Sequence, residues 1–310
     1  MIISRLRIFF LFLSFALLHF TSSGQSSVKE WVQDGIVKAK LGDYTAAIAS
    51  FNKAIALDSA EAEPWYNRGV ARSESGDLEG AIRDFTKVIG MKPSYPEPYF
   101  NRGLARDYLK DYKEAIADYT WAISLKPDYP DAYLNRGLAM LDMGSYEGAI
   151  QDFTRAIQYR PGFAEAYYNR GLARFNLEDY PGAIADFNDA IRIDNSSPDY
   201  FSSRGAAKAA EGLYADAILD FNITIQLRPL DILAYMNKGL AHMYLKDYDL
   251  AIEDYSAAIG INQSYAEAWV NRGVAKLYLN DRTGACEDWK TAAELGSEKG
   301  RAYSDKYCSG

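Results

Sequence analysis

Eight glycines stand in register along this chain of 310 residues, each 34 residues after the one before. A spacing held through eight copies without an insertion predicts eight copies of one structural unit stacked in line. An alanine twelve residues after each glycine and an aromatic residue sixteen after it keep the same period. The glycines are Gly35, Gly69, Gly103, Gly137, Gly171, Gly205, Gly239 and Gly273. The aromatic residues are Phe51, Phe85, Tyr119, Phe153, Phe187, Phe221, Tyr255 and Trp289.

Each copy has the pattern of two helices. Apolar residues recur at intervals of three and four, as at Tyr66 and Val70 and again at Phe85 and Ile89, which predicts two amphipathic helices. The short polar stretch between them, which contains Gly76 in this copy, predicts a turn. Each unit is therefore expected to be a helical hairpin. Because glycine costs about 1 kcal/mol relative to alanine inside a helix, its recurrence indicates that the two helices approach closely there.

The pattern resembles the tetratricopeptide repeat, a helix–turn–helix unit of 34 residues. The resemblance covers residues 28–299, as repeats 28–61, 62–95, 96–129, 130–163, 164–197, 198–231, 232–265 and 266–299. It implies an all-α fold, a right-handed superhelical solenoid of eight helical hairpins with a short C-terminal cap at residues 300–310. In this family the first helix of each hairpin lines a concave face. Because one fold hosts many functions, the function has to be argued from the residues on that face.

The N-terminal segment lies outside the repeats. Arg5 and Arg7 precede a mostly apolar run, Ile8 to Phe20, and small residues follow up to Gly24. This order predicts a secretory signal peptide, residues 1–24, that is removed after Gly24. An uncleaved membrane anchor is the alternative, although the run is shorter than the roughly 20 apolar residues that span a bilayer. We therefore expect an exported protein, periplasmic or secreted, with no stable membrane span after cleavage.

The charge of the chain limits its partners. The formal net charge is −8, and removal of Arg5 and Arg7 leaves 32 basic against 42 acidic residues. An acidic protein repels phosphate backbones, so nucleic-acid binding is disfavoured and a neutral or basic partner is favoured.

No pattern in the sequence predicts catalysis. His242 is the one histidine outside the predicted signal peptide, and there is no Cys/His cluster, Gly-rich phosphate loop or nucleophile–base pair. We therefore expect no enzyme activity, no cofactor and no metal site. His242 occupies a helix position that is mostly Lys or Arg in the other copies, which predicts a solvated helix face.

The two cysteines, Cys286 and Cys308, lie near the C-terminus. In an exported protein they predict a disulfide that fastens the tail to the last hairpin. The alternative is that Cys286 is a small buried hydrophobic residue, since the other copies have isoleucine at its position.

The first helix of most copies carries an asparagine two residues before the glycine. An asparagine amide both donates and accepts hydrogen bonds, so a row of them can hold the backbone of an extended peptide. Gln33 and Ser203 interrupt the row. The alternative is a structural role, with each amide bonded to the neighbouring hairpin. The predicted peptide-binding residues are Asn67, Asn101, Asn135, Asn169, Asn237 and Asn271, with the aromatic residues Tyr66, Phe100, Tyr168, Tyr108, Tyr244 and Tyr278 beside them.

Acidic residues recur near the starts of the first helices, at Glu63, Glu97, Asp131, Glu165, Asp199 and Glu267. Negative charge there stabilises the helix dipole, which is a sufficient structural reason for it. The same charge attracts Lys or Arg, so an acidic, aromatic groove favours a peptide with basic and apolar side chains.

Basic and acidic residues vary together between the copies. We predict a charge-assisted pair between helices in every copy except the first, which has Asp34 and Ser50 instead. The basic members are Arg68, Arg102, Arg136, Arg170, Arg204, Lys238 and Arg272, and the acidic members are Asp84, Asp118, Asp152, Asp186, Asp220, Asp254 and Asp288.

These observations predict an exported, non-catalytic scaffold that binds a protein or extended peptide in its concave groove. One alternative is a structural scaffold that self-associates or assembles within an envelope complex. Another is a glycan-binding module, since 24 tyrosines are available to stack on sugars. The sequence leaves the oligomeric state open.

Overall fold

A computed structural model describes residues 26–308, which form seventeen α-helices. The predicted signal peptide, residues 1–24, lies outside the described residues. The chain divides into two units, at Pro161 and Gly162. The first unit contains α1 (Val28–Lys40), α2 (Tyr44–Leu57), α3 (Ala62–Glu74), α4 (Leu78–Met91), α5 (Pro96–Tyr108), α6 (Tyr112–Leu125), α7 (Pro130–Asp142) and α8 (Tyr146–Tyr159). The second contains α9 (Ala164–Asn176), α10 (Tyr180–Ile193), α11 (Pro198–Ala210), α12 (Tyr214–Leu227), α13 (Ile232–Leu245), α14 (Tyr248–Ile261), α15 (Ala266–Tyr278), α16 (Arg282–Glu294) and α17 (Glu298–Cys308).

Each odd-numbered helix up to α15 packs against the helix that follows it, which gives eight helical hairpins. The predicted all-α repeat solenoid is thereby confirmed. A short turn joins the two helices, and one of its residues has a positive φ, as at Gly42 and Gly76. An aspartate then caps several second helices: the side chains of Asp77 and Asp281 accept hydrogen bonds from backbone N–H groups of the first turn.

The recurring glycines mark where the two helices of a hairpin meet. A Cβ atom placed on Gly137 would lie 2.7 Å from Phe153 Cε1, and one on Gly103 would lie 2.8 Å from Tyr119 Cε1. The same contact recurs in all eight hairpins, and every one of these rings is buried. The predicted close approach of the two helices is therefore present in every hairpin of the described residues.

The first helices of most successive hairpins contact one another within each unit. These pairs are α1 with α3, α3 with α5, α5 with α7, α9 with α11 and α11 with α13. The second helices make no comparable contacts with each other among the described residues. Because neighbouring first helices approach one another more closely than neighbouring second helices do, the first helices lie on the inner, concave side of each unit.

The predicted Arg–Asp pairs are present and bidentate. Arg136 Nε and Nη2 each donate to one oxygen of Asp152, both at 2.7 Å. Arg102 holds Asp118 in the same way, at 3.0 and 2.7 Å. A third donor, Nη1, extends back to the preceding hairpin, from Arg102 to Thr86 Oγ1 at 2.9 Å. The arginine therefore joins the helices of its own hairpin and also joins that hairpin to the one before.

Most of these buried aspartates bind a second cation from the next turn of the first helix. Asp118 Oδ2 accepts from Arg106 Nη1 at 2.7 Å, and Asp220 Oδ2 lies 2.9 Å from Lys208 Nζ. His242 occupies this position in α13, and its Nδ1 lies 2.6 Å from Asp254 Oδ2. The prediction of a solvated His242 is wrong, because this position faces the buried carboxylate rather than solvent.

The first hairpin uses a different polar arrangement. Asp34 accepts hydrogen bonds from Lys38 Nζ and Ser50 Oγ, both at 2.5 Å. The bond from Lys38, followed by the one from Ser50, lowers the pKa of the Asp34 carboxyl. In this hairpin the acidic residue is on the first helix, and its hydrogen bond with Ser50 still joins the two helices.

Helix α17 covers the C-terminal end of the second unit. Trp289 of α16 lies against the rings of Tyr303 and Tyr307, with centroids 5.3 and 5.6 Å away. A disulfide joins Cys286 of α16 to Cys308 at the end of α17, with the two Cα atoms 5.7 Å apart. The tail, expected as a cap at residues 300–310, is a helix that begins at Glu298 and is covalently attached to the last hairpin.

Candidate peptide-binding groove

The asparagine row divides into two groups. Asn67, Asn135 and Asn169 each donate from Nδ2 to the carbonyl oxygen four residues earlier in the same helix, at 2.7–3.1 Å. Asn101 Nδ2 donates instead to Tyr66 Oη, 2.8 Å away on the neighbouring first helix. All four side chains are buried. This corrects the predicted contact set, because amides bonded within the core are structural.

Three of these buried amides have an unused oxygen. The Oδ1 atoms of Asn67, Asn101 and Asn169 have no hydrogen-bond partner among the described residues. They are also closed off from solvent, so a ligand cannot reach them in this conformation. Their local bonding pattern is typical of short polar side chains that satisfy helix carbonyls.

Asn237 and Asn271 differ from the other four asparagines in burial and in hydrogen bonding. Both are half-buried, and neither side chain makes a hydrogen bond within residues 26–308. Each lines a pocket in the second unit, of about 350 Å³ for Asn237 and about 390 Å³ for Asn271. These two amides are therefore the members of the row that are open to a ligand.

The aromatic residues predicted to bind a peptide include both buried and exposed side chains. Tyr66 and Phe100 are buried between hairpins, so they do not line an open surface. Tyr66 packs against Phe85 and Tyr95, with centroids 5.9 and 5.6 Å away. Burial raises the pKa of the Tyr66 hydroxyl well above its ordinary value. The sequence prediction is wrong for these two residues because the position before the asparagine points into the contact between hairpins.

Tyr168 is intermediate between core and surface. Its ring lies 4.8 Å from that of Tyr200, and its hydroxyl is 3.3 Å from Ser203 Oγ on the next first helix. Ser203, which interrupts the asparagine row, is therefore engaged with the preceding hairpin.

Tyr108, Tyr244 and Tyr278 are exposed at the ends of their first helices. The last two are each 60% exposed and stack on a tyrosine at the start of the preceding second helix. Tyr244 stacks on Tyr214, with centroids 4.5 Å apart and planes at 3°, and Tyr278 stacks on Tyr248, at 4.8 Å and 7°. The Tyr214–Tyr244 pair forms a flat aromatic surface that lines the same pocket as Asn237, and the Tyr248–Tyr278 pair is its equivalent one hairpin later.

Arginines partly neutralise the acidic residues near the helix starts. Arg160 Nη2 lies 2.7 Å from Asp131, and Arg228 Nη1 lies 3.0 Å from Asp199, in each case from the end of the same hairpin. Glu267 borders the pocket of Asn271, together with Lys299. The acidic margin expected from the sequence is therefore discontinuous.

Residues 26–308 contain no group of His, Cys, Asp or Glu side chains that could hold a metal ion. Over the same range, no helix is both long enough and apolar enough to cross a bilayer.

Hairpins of constant length, joined by a glycine–aromatic contact and arginine–aspartate pairs, define a helical-repeat scaffold. Family models agree with this class. Models described as tetratricopeptide repeat match residues 62–95, 139–198 and 232–265, and a model described as TPR repeat matches residues 35–76 and 108–144. The chain belongs to the tetratricopeptide repeat family.

Solved structures share the fold. MamA is 28% identical, with a TM-score of 0.51 over 52% of this chain and 94% of MamA. The C-terminal part of a TPR repeat-containing protein from Cytophaga hutchinsonii is 20% identical, with a TM-score of 0.67 over 76% of this chain and 98% of the other. YrrB, described as a TPR protein with an unusual peptide-binding site, is 22% identical, with a TM-score of 0.54 over 59% of this chain and 95% of YrrB. No curated protein matches the chain.

Proposed function

We propose that this protein is a non-catalytic scaffold that binds an extended segment of a partner protein along the first helices of its second unit. Asn237 and Asn271 bind the partner's backbone, and the Tyr214–Tyr244 pair beside Asn237 contacts its side chains. Tetratricopeptide repeat proteins typically bind proteins or peptides, and the peptide-binding site named for YrrB is consistent with this choice of ligand.

One observation carries the proposal. Asn237 and Asn271 are the two asparagines of the row whose amides make no hydrogen bond within residues 26–308, and each of them lines a pocket. A half-buried amide without a partner gains a donor and an acceptor when a peptide group binds beside it. The other four have already used their donors within the fold.

The partner segment is neutral or basic rather than acidic. The net charge of the chain is −8, and Glu267 borders the pocket of Asn271. Opposite charge on the partner increases the rate of association and selects against acidic segments.

The test is selection of peptides from a random displayed library on the chain without residues 1–24, followed by calorimetry of the selected peptides. We expect Asn237→Ala with Asn271→Ala to weaken binding by about tenfold or more, since each lost hydrogen bond costs about 0.5–1.5 kcal/mol. Asn222→Ala is the matched control, because Asn222 is exposed on a second helix. Retained affinity in the double variant, or a selection that enriches no peptide, contradicts the proposal.

Self-association is a second candidate. Trp121 of α6 is 58% exposed on a second helix and stacks on Tyr99. An exposed tryptophan outside the groove is a common anchor of protein interfaces. Sedimentation velocity over a range of concentrations tests this, with Trp121→Ala expected to abolish any dimer.

We also propose that the protein is exported, to the periplasm or beyond the cell. The basic and apolar N-terminal sequence supports this, and so does the disulfide, because disulfides persist in oxidising compartments. Cell fractionation with antibody detection tests it, and mature protein found only in the reducing cytosol contradicts it.

A further inference from the structure

Helix α11 carries unusually small side chains along one side. At five positions along one side it carries a smaller residue than the hairpin before it. The α11 residues are Ser202, Ser203, Ala206, Ala209 and Ala210, and their counterparts in α9 are Tyr168, Asn169, Leu172, Phe175 and Asn176. Three of these small residues, Ala206, Ala209 and Ala210, line an open space.

The space is a pocket between α11 and α13, of about 350 Å³. We call it the α11 pocket; Ala206, Ala209 and Ala210 form its floor, and Tyr214, Leu240 and Tyr244 form its walls. None of its lining residues is charged. The volume is enough for one large side chain.

Removal of the α11 side chains uncovers a leucine on the next helix. Leu240 is 46% exposed, whereas its counterparts Leu104 and Leu138 are 1% and 2% exposed. Exposure of a large aliphatic side chain costs free energy, and covering it on binding restores about 25 cal/mol per Å². Leu240 therefore favours an apolar occupant.

The next first helix has also lost its acid. At the start of α13, Leu233 stands where the hairpins on either side have Asp199 and Glu267, and it is 60% exposed. Leu233 lies about one helical turn before Asn237 and is not part of the pocket lining. Because no lining residue is charged, the pocket complements an uncharged side chain and gives no advantage to Lys or Arg.

Two further groups define how an occupant is held. The stacked rings of Tyr214 and Tyr244, 4.5 Å apart and nearly parallel, present an aromatic wall. The Asn237 amide, without an internal partner, lines the same pocket and is suited to hold the backbone of the residue that enters. A sugar ring would need several polar partners, and here only this amide and the tyrosine hydroxyls are available.

From these observations we infer that the α11 pocket is the specificity pocket of the groove, and that it binds one large apolar side chain, aromatic or branched aliphatic, of an extended partner peptide. The inference rests on the proposed function and adds a residue preference at one position of the ligand. Aromatic and aliphatic anchors in pockets of this kind carry much of the binding free energy of an interface.

The test fills the pocket with a residue that the fold already uses at the equivalent position. Ala206→Leu places there the leucine found at residues 104, 138, 172 and 240, so the variant is expected to fold. Capped decapeptides that bind the wild-type protein are varied at each position to Trp, Phe, Leu, Lys, Glu and Ala, and affinity is measured by fluorescence anisotropy. We expect one position at which Trp, Phe or Leu binds about tenfold or more tightly than Ala.

In Ala206→Leu that preference is expected to fall to within about twofold, while the loss caused by Asn237→Ala persists. Ala215→Leu, at an exposed site on α12, is the control and should leave the preference intact. If peptides bind with the Asn237 dependence but without an apolar preference, or if Ala206→Leu leaves the preference unchanged, the pocket inference is wrong and the groove proposal stands. If no peptide binds, or only a glycan array gives a signal, both are wrong.

Discussion

His242 Nδ1 lies 2.6 Å from Asp254 Oδ2, and both side chains are buried. The other oxygen of Asp254 lies 2.9 Å from Lys238 Nζ. The position of His242 holds a residue with a permanent positive charge in most other hairpins, at Arg72, Arg106, Arg174, Lys208 and Lys276. The single histidine of the described chain is therefore part of the scaffold.

We expect His242→Ala to lower the free energy of unfolding by about 1–3 kcal/mol, because it leaves a buried oxygen of Asp254 without its donor. His242→Lys should recover most of the loss, since Lys208 and Lys276 make the equivalent contact at 2.9 Å. Urea denaturation followed by circular dichroism measures both. Equal losses in the two variants would show that packing of the imidazole, rather than its bond to Asp254, stabilises the fold.

The fourth hairpin should be the most sensitive to loss of its arginine. Asp152 pairs with Arg136 alone, because Met140 occupies the second cation position, whereas Asp118 binds both Arg102 and Arg106. Arg136→Ala should cost about 3–5 kcal/mol, as expected when a buried carboxylate loses its partner, and Arg102→Ala clearly less. Denaturant unfolding of the two variants gives the comparison.

A double-mutant cycle separates the ion pair from other effects of the same substitution. Arg136→Ala combined with Asp152→Ala should be more stable than Arg136→Ala alone, because no buried charge is left unpaired. Strictly additive losses in the cycle would reject the pairing.

Gly137→Ala tests the close contact between the repeat glycine and the aromatic ring of the second helix. Alanine normally stabilises a helix interior relative to glycine by about 1 kcal/mol, but here its Cβ would lie 2.7 Å from Phe153. We expect a net loss of about 1–3 kcal/mol. Gly90→Ala is the matched control: Gly90 is an exposed glycine near the end of α4 with nothing within 4 Å of a built Cβ, and should gain about 0.5–1 kcal/mol. Thermal unfolding measures both, and a stabilised Gly137→Ala would be the contrary result.

Reduction should release the C-terminal cap. The disulfide joins residues 22 apart, and in the chain-entropy model a loop of this size contributes roughly 3 kcal/mol. We expect Cys286→Ser with Cys308→Ser to lower the Tm and to speed amide exchange in α17 more than in α13. Dithiothreitol should reproduce the effect in the wild-type protein and have none in the double variant. An unchanged exchange rate in α17 would mean that contacts of Trp289 hold the cap without the bond.

Alkaline pH should destabilise the protein through its buried tyrosines. Burial raises the pKa of Tyr66 well above its ordinary value, and burial followed by nearby carboxylates raises the pKa of Tyr200 to about 12. Because the folded state holds these protons more tightly, the stabilisation is complete below about pH 10 and is lost as the pH rises from there towards the folded pKa. Denaturant unfolding between about pH 8 and about pH 11 should show the decline.

Tyr66→Phe should reduce the steepness of this alkaline decline, whatever its effect at neutral pH. Tyr244→Phe serves as control because Tyr244 is 60% exposed. An identical slope in both variants would assign the decline to other groups.

The sequence was sufficient to predict the architecture because each contact that builds a hairpin is carried by a fixed pair of positions. The glycine and the aromatic residue, such as Gly137 and Phe153, must meet wherever the period holds. The arginine and aspartate were predictable because the first hairpin lacks both together. His242 was misjudged although its position was identified, because the pattern does not show that this position faces a buried carboxylate.

The candidate site was predicted only in part. Asn101 and Asn237 occupy the same position of the repeat, yet one amide is bonded to a tyrosine of the preceding first helix and the other is open. That difference depends on the three-dimensional neighbours of each amide, which spacing does not contain. The sequence of α11 contains five small residues along one side of the helix. Only the packing shows that the pocket beside them stays open and that Leu240 is exposed there.

The third hydrogen bond of five repeat arginines extends toward the N-terminus. Arg68 reaches Asn52, Arg102 reaches Thr86, and Arg272 reaches Ser256. A newly made hairpin thus finds its polar partner on a hairpin that has already been synthesised, so assembly has a direction that matches translation. The first hairpin has Asp34 where the arginine would be. At the other end of the described residues, a covalent bond to α17 holds the last hairpin.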